Sequence, residues 1–94
     1  MASRNADSAV HATLVATIKD TVTLNNEAGE VVIYNRSGTS DIFARWDGAD
    51  PGIGADNSHV IRTNSERRFG PPITSAIEVR LISAGIPQYS VETV

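Results

Sequence analysis

The 94-residue chain contains no cysteine, two histidines, one tryptophan and one methionine. Each shortage removes a class of chemistry. Without cysteine there is no disulfide staple, no thiolate nucleophile and no cysteine-based zinc site. The two histidines, His11 and His59, are too far apart in sequence for a recognised zinc spacing. No Gly-x-Ser-x-Gly turn is present to expose a serine nucleophile. The glycines do not follow the spacing of a phosphate-binding loop. No catalytic residues, cofactor or metal are therefore expected, and the chain reads as a non-enzyme. No run approaches the ~18 apolar residues of a membrane-crossing helix, so no membrane partner is expected. Met1–Asp7 lacks the apolar centre of a signal peptide, which predicts a protein that stays where it is made.

Positive charge is also scarce. Eight Lys and Arg stand against eleven Asp and Glu, a formal net charge of −3. Nucleic-acid binders of this size are normally basic, so no nucleic-acid partner is expected. The signs are unevenly distributed. Residues 1–61 hold four basic and eight acidic side chains, whereas residues 62–94 hold four basic and three acidic ones. The later basic groups are Arg62, Arg67, Arg68 and Arg80. A basic patch on an acidic chain suits an acidic protein surface; solvated surface arginines are the plain alternative.

What the chain does have is a succession of short β-rich runs. Residues 1–11 are small and polar and read as a flexible N-terminal arm. The remainder, residues 12–94, reads as a single domain. Strands are expected over Ala12–Ile18, Thr21–Leu24, Glu30–Asn35, Asp41–Asp47, Ser58–Thr63, Arg67–Phe69, Ala76–Ser83 and Gln88–Thr93. Turn chemistry separates them: Asn25–Gly29, a tight hairpin at Arg36–Thr39, a break at Gly70–Pro72, and Ala84–Pro87. No long window shows a 3.6-residue period. The expected fold is all-β, a small sandwich or barrel of about seven to eight short, mostly antiparallel strands.

The irregular stretch Gly48–Asn57 gathers oxygen ligands, with Asp47, Asp50, Asp56 and Asn57 in reach of one another in sequence. Calcium uses such groups, but the order is not that of an EF-hand and no late bidentate glutamate follows. Exposed turns have the same composition. In Asp41–Asp47, alternation places Ile42, Ala44 and Trp46 on one face and Phe43, Arg45 and Asp47 on the other. Trp and Arg are frequent interface anchors, although a lone Trp in a small β-domain is more often core. The candidate interface residues are Arg62, Arg67, Arg68, Trp46, Asp50 and Asp56.

Two blocks, Glu30–Ile61 (EVVIYNRSGTSDIFARWDGADPGIGADNSHVI) and Val79–Glu92 (VRLISAGIPQYSVE), resemble small virion proteins of tailed bacteriophages. In those proteins a "VxVxNRSG" run leads to a "DG" turn and a "P-x-x-G-x-DN" loop, and a final hairpin carries "VKLISSGTPxYSV". The first thirty residues and Glu66–Pro72 depart from that pattern. The resemblance implies a β-sandwich decoration protein that cements the outer capsid surface. Its partners would be the major capsid protein and copies of itself, with a homotrimer favoured and a virion location. A tail or head–tail junction component is the alternative, and a glycan-binding module a more distant one.

Overall fold

The computed structural model describes residues 2–25, 29–70 and 77–94. Nine strands make up two sheets: β1 (Ala2–Ala6), β2 (Ala9–Thr13), β3 (Asp20–Leu24), β4 (Val31–Asn35), β5 (Ile42–Arg45), β6 (His59–Ile61), β7 (Glu66–Phe69), β8 (Ile77–Ile82) and β9 (Gln88–Thr93). One sheet runs β1-β3-β8-β5-β6 and the other β2-β9-β4-β7. All described pairings are antiparallel except β1 with β3. The all-β, mostly antiparallel architecture expected from alternation is therefore found, as a sandwich rather than a barrel and with nine strands where about seven to eight were expected.

Period-2 alternation builds the core. Val22, Leu24, Ile42, Ala44, Ile61, Val79 and Leu81 enter from the five-stranded sheet. Val10, Val31, Ile33, Tyr89 and Val91 enter from the four-stranded one, and Leu14 plugs one end. At one edge Asp20 lies buried, accepting hydrogen bonds from the Tyr89 hydroxyl at 2.9 Å and Arg4 Nε at 3.2 Å. Burial, then the neighbouring Asp20 carboxylate, raises the Tyr89 phenol well above its ordinary pKa.

Four expectations need correcting. Residues 1–11 are not a loose arm but supply β1 and most of β2, one strand to each sheet. The Ala12–Ile18 run does not form one strand: β2 ends at Thr13 and the chain turns at Ala16–Thr17. Arg36–Thr39 is not a hairpin, because β4 and β5 belong to different sheets. Ala84–Pro87 does turn the chain into the last strand, but it passes from β8 in one sheet to β9 in the other, so the final hairpin that the resemblance implied is not formed. A short turn is equally able to cross between layers, and burial of the following strand decides which it does. Most of Asn25–Gly29 and of Gly70–Pro72 lies outside the described residues, as does Ala76.

Candidate functional site

Register places four connections at one end of the sandwich: residues 14–19, 36–41, 62–65 and 83–87. Loops presented by a rigid sheet scaffold are the usual seat of binding. These four are interlocked. The first lies along the last through Leu14 N–H donating to Pro87 O at 3.0 Å and Thr17 N–H to Ser83 O at 2.8 Å. Ser83 Oγ donates to the Asp41 carbonyl at 2.7 Å, and a Cβ at Gly85 would overlap Ser40 Oγ. Asn64 N–H donates to Ser37 O at 2.9 Å, and Thr63 N–H to Asp41 Oδ1 at 3.2 Å. At the centre, buried Asn35 donates to the Ser40 and Ile61 carbonyls at 2.8 and 3.0 Å and accepts from Ser37 N–H at 3.0 Å.

Apolar side chains stand out from this clamped end. Val15, Ile18 and Ile86 are 60%, 40% and 69% exposed, respectively. Leu14 and Pro87, which flank them, are buried and fix the loops to the sandwich. Ile53 and Val94 are also exposed, each on a separate segment, whereas these three share one end. Aliphatic exposure gathered at one end marks an interaction site more than does a scattered residue.

The six candidate interface residues do not form one patch. Trp46 is half-buried and stacks on His59 at a centroid distance of 4.1 Å and on Phe69 at 4.2 Å. It joins the β5–β6 edge of one sheet to β7 of the other, a structural position. Burial, then the positive charge of Arg67, lowers the His59 pKa below its ordinary value. Asp50 accepts hydrogen bonds from Lys19 and Arg80, drawing the long loop back over the outer face of the five-stranded sheet. Those two cations hold its carboxyl below the usual carboxylate range, Lys19 contributing more. Asp47 is similarly held by Arg45 and the Ala49 amide. Two of the loop's carboxylates are thus already paired, and among the described residues no metal-ligating group of three converges. Asp56 is exposed elsewhere in this loop. Arg62 lies at the four-loop end, 3.7 Å from Asp41. Arg68 pairs with Glu66 on the outer face of the four-stranded sheet, and Arg67 is exposed along its edge strand.

One constellation went unnoticed in the sequence because His11 was read as part of the arm. His11 Nδ1 lies 2.7 Å from Ser90 Oγ, and His11 Nε2 lies 3.7 Å from Glu92 Oε1. Hydroxyl, imidazole and carboxylate in line suggest a nucleophile. Two facts oppose it. Ser90 is only 2% exposed, and its strand lies between β2 and β4, so its amides serve the ladders rather than an oxyanion.

No family model and no curated protein matches the chain. Solved structures do. It is similar to PliG of Aeromonas hydrophila, a periplasmic inhibitor of g-type lysozyme, at TM-score 0.56 and 12% identity over 95% of this chain and 91% of that one. It is also similar to the pre-peptidase C-terminal domain of a Bacillus anthracis collagenase, at TM-score 0.52 and 14% identity over 100% and 95% of the two chains. At these identities the shared property is the β-sandwich fold. These neighbours overturn the decoration-protein reading, since they are a lysozyme inhibitor and a collagenase domain rather than capsid proteins. The physical reason lies in the blocks that suggested it. Glu30–Ile61 and Val79–Glu92 combine the strands β4, β5, β6 and most of β8 and β9 with Gly-, Asp- and Asn-rich connections, and both are what any sandwich with exposed turns requires. The tail-component and glycan-binding alternatives fall with that reading. The capsid partner, trimer and virion location were expectations of the same role and gain no support here.

Proposed function

We propose that this chain is a binding module without catalytic chemistry of its own, docking on a protein partner through its four-loop end. One observation carries the reading: Val15, Ile18 and Ile86 are held exposed on loops whose backbones are hydrogen-bonded to one another. Preorganised apolar anchors lose little conformational entropy on binding, which is what gives an interface its affinity. A protruding apolar knob needs a concave apolar receptor. The main grooves among the described residues are lined largely by polar side chains, so a foreign protein fits the knob better than a second copy. The inhibitor role of PliG, itself exerted on a protein, is compatible with this reading.

The test is selection of a random peptide library displayed on phage against the immobilised chain. Binders are expected that lose at least ~10-fold in affinity on the V15D/I86D variant, ~1.4 kcal/mol, and keep it on T23D, a change on the outer face of the five-stranded sheet. Because both tip residues are exposed, the double variant should keep its urea midpoint within the ~0.5 kcal/mol usual for surface changes. Absence of any binder, or binders indifferent to V15D/I86D, overturns the reading. A defined probe runs alongside: g-type lysozyme, whose lytic rate would fall with the wild-type chain and recover with the variant if it is a partner of this kind.

A further inference from the structure

The outer face of the four-stranded sheet runs into the four-loop end at Arg36. Cross-strand register sets His11, Ser90, Tyr34 and Glu66 side by side in one row. The next row holds Ala9, Glu92, Val32 and Arg68. Three grooves open here, and Arg36 lines all of them. The largest, of about 650 Å³, is bounded by Tyr34, Asn35, Arg36, Asn64, Ser65 and Glu66.

The charges of this face are arranged unequally. Glu66 accepts from Arg68 Nε at 3.0 Å, and Glu92 sits 3.7 Å from His11 Nε2. Arg36 has no carboxylate at ion-pair distance among the described residues. Its Nη1 donates to Ser90 Oγ at 3.5 Å, and its Nε and Nη2 make no side-chain hydrogen bond there. Arg36 is exposed, and this long contact to Ser90 is what ties its side chain to the sheet. Ser90 can accept from Arg36 while its own O–H donates to His11 Nδ1 at 2.7 Å, which leaves Nε2–H facing Glu92. Arg36 is also fixed through its backbone, N–H donating to Gln88 O at 2.9 Å. A guanidinium with one side engaged and its Nε–Nη2 fork open matches a planar carboxylate in two parallel hydrogen bonds.

We propose that Arg36 anchors a carboxylate-binding site in this groove, with Ser90 and His11 as positioning residues. The nearby Glu66 and Glu92 favour a monoanion over a phosphate dianion, whose repulsion from them is greater. The ligand is a carboxylate, from a partner's Asp or Glu side chain or from a free small acid. The inference deepens the docking reading by naming chemistry beside the apolar tip. It is read out with small probes, so its failure and the failure of docking are separately visible.

The full chain is followed by ¹H–¹⁵N NMR during separate titrations with sodium acetate, acetyl-Ala-Glu-Ala-amide, inorganic phosphate and sodium chloride at matched ionic strength. A single carboxylate contact corresponds to a Kd on the order of 1–10 mM. Saturable shifts are expected at Tyr34, Arg36, Asn64 and Ser90 with both carboxylates and not with chloride. R36Q should weaken them at least ~10-fold, R36K should retain part of the binding, and Val15 and Ile86 should not move. A tripeptide tighter than acetate identifies a protein side chain as the source; equal affinity identifies a free acid. Shifts that do not saturate, that match chloride, or that survive R36Q overturn the proposal. So does inorganic phosphate binding in place of acetate.

Discussion

Thr17 is a β-branched residue with φ of +62°, a conformation that costs most L residues about 1–2 kcal/mol, asparagine tolerating it better and glycine, without a Cβ, adopting it freely. Two contacts oppose that cost: its N–H reaches Ser83 O, and its Oγ1 donates to Ala16 O at 2.6 Å. Local preference alone makes ALA-to-ILE runs such as Ala12–Ile18 extended, which is why the turn was not legible there. Asn57 and Asn64, at φ of +67° and +54°, are residues whose short amide tolerates this region, and both fall in segments that read as loops. Replacing Thr17 by glycine should relieve the strain and keep the Ser83 hydrogen bond. We expect Thr17→Gly to raise stability by about 0.5–1 kcal/mol, seen as a higher urea midpoint with unchanged m-value. A lower midpoint would mean that the hydroxyl contact outweighs the backbone strain.

Strand identity followed alternation closely wherever the inward face is apolar. The runs over β3, β5, β8 and β9 were readable because apolar residues at every second position require a buried face, and β4 because Val31–Ile33 is a continuous apolar run. β1 was not readable, since Ser3, Arg4 and Asn5 have little strand preference. Its strand character comes from its neighbour: parallel pairing with β3 and the Arg4 contact to buried Asp20. Deleting residues 1–8 separates the two descriptions. A loose arm would leave stability unchanged. In this fold the deletion removes a donor to a buried carboxylate, a loss of about 1–3 kcal/mol before any backbone pairing is counted, and urea unfolding measures it.

For the molecule as a whole, the seam between the β6 and β7 edges depends on the His59–Trp46–Phe69 stack. His59 has a folded pKa below its ordinary value of 6.5, because burial and then Arg67 disfavour its charged form. The unfolded chain binds the proton near pH 6.5 and the folded chain only at lower pH. Unfolding therefore takes up a proton in that window, so this group's contribution is present above pH 6.5 and lost as pH falls through the folded pKa. Thermal melts from pH 7.5 to 5 should show a declining Tm, and His59→Phe should flatten that stretch while preserving an aromatic stack. Asp47 and Asp50, lowered from 3.8 by their cations, act only in more acid solution, so the two effects separate. An equally steep decline in His59→Phe would assign the effect to other groups.

The order of polar and apolar residues was enough to specify an all-β sandwich or barrel, because a two-residue period buries one face of each strand whatever its partner. The same pattern says nothing about which strands share a sheet. Tertiary packing turned the apparent hairpin at Arg36–Thr39 and the turn at Ala84–Pro87 into crossings, drew the polar N-terminus into both sheets and tied Asp50 back to Lys19 and Arg80. It also brought Val15 and Ile86, 71 positions apart in the chain, to one clamped end. Neither that end nor the Arg36–Ser90–His11 arrangement has any signal in sequence spacing, since each depends on the register of strands distant in the chain. Burial alternation is local and can be read along the chain; a binding surface is a juxtaposition and exists only once the layers have packed.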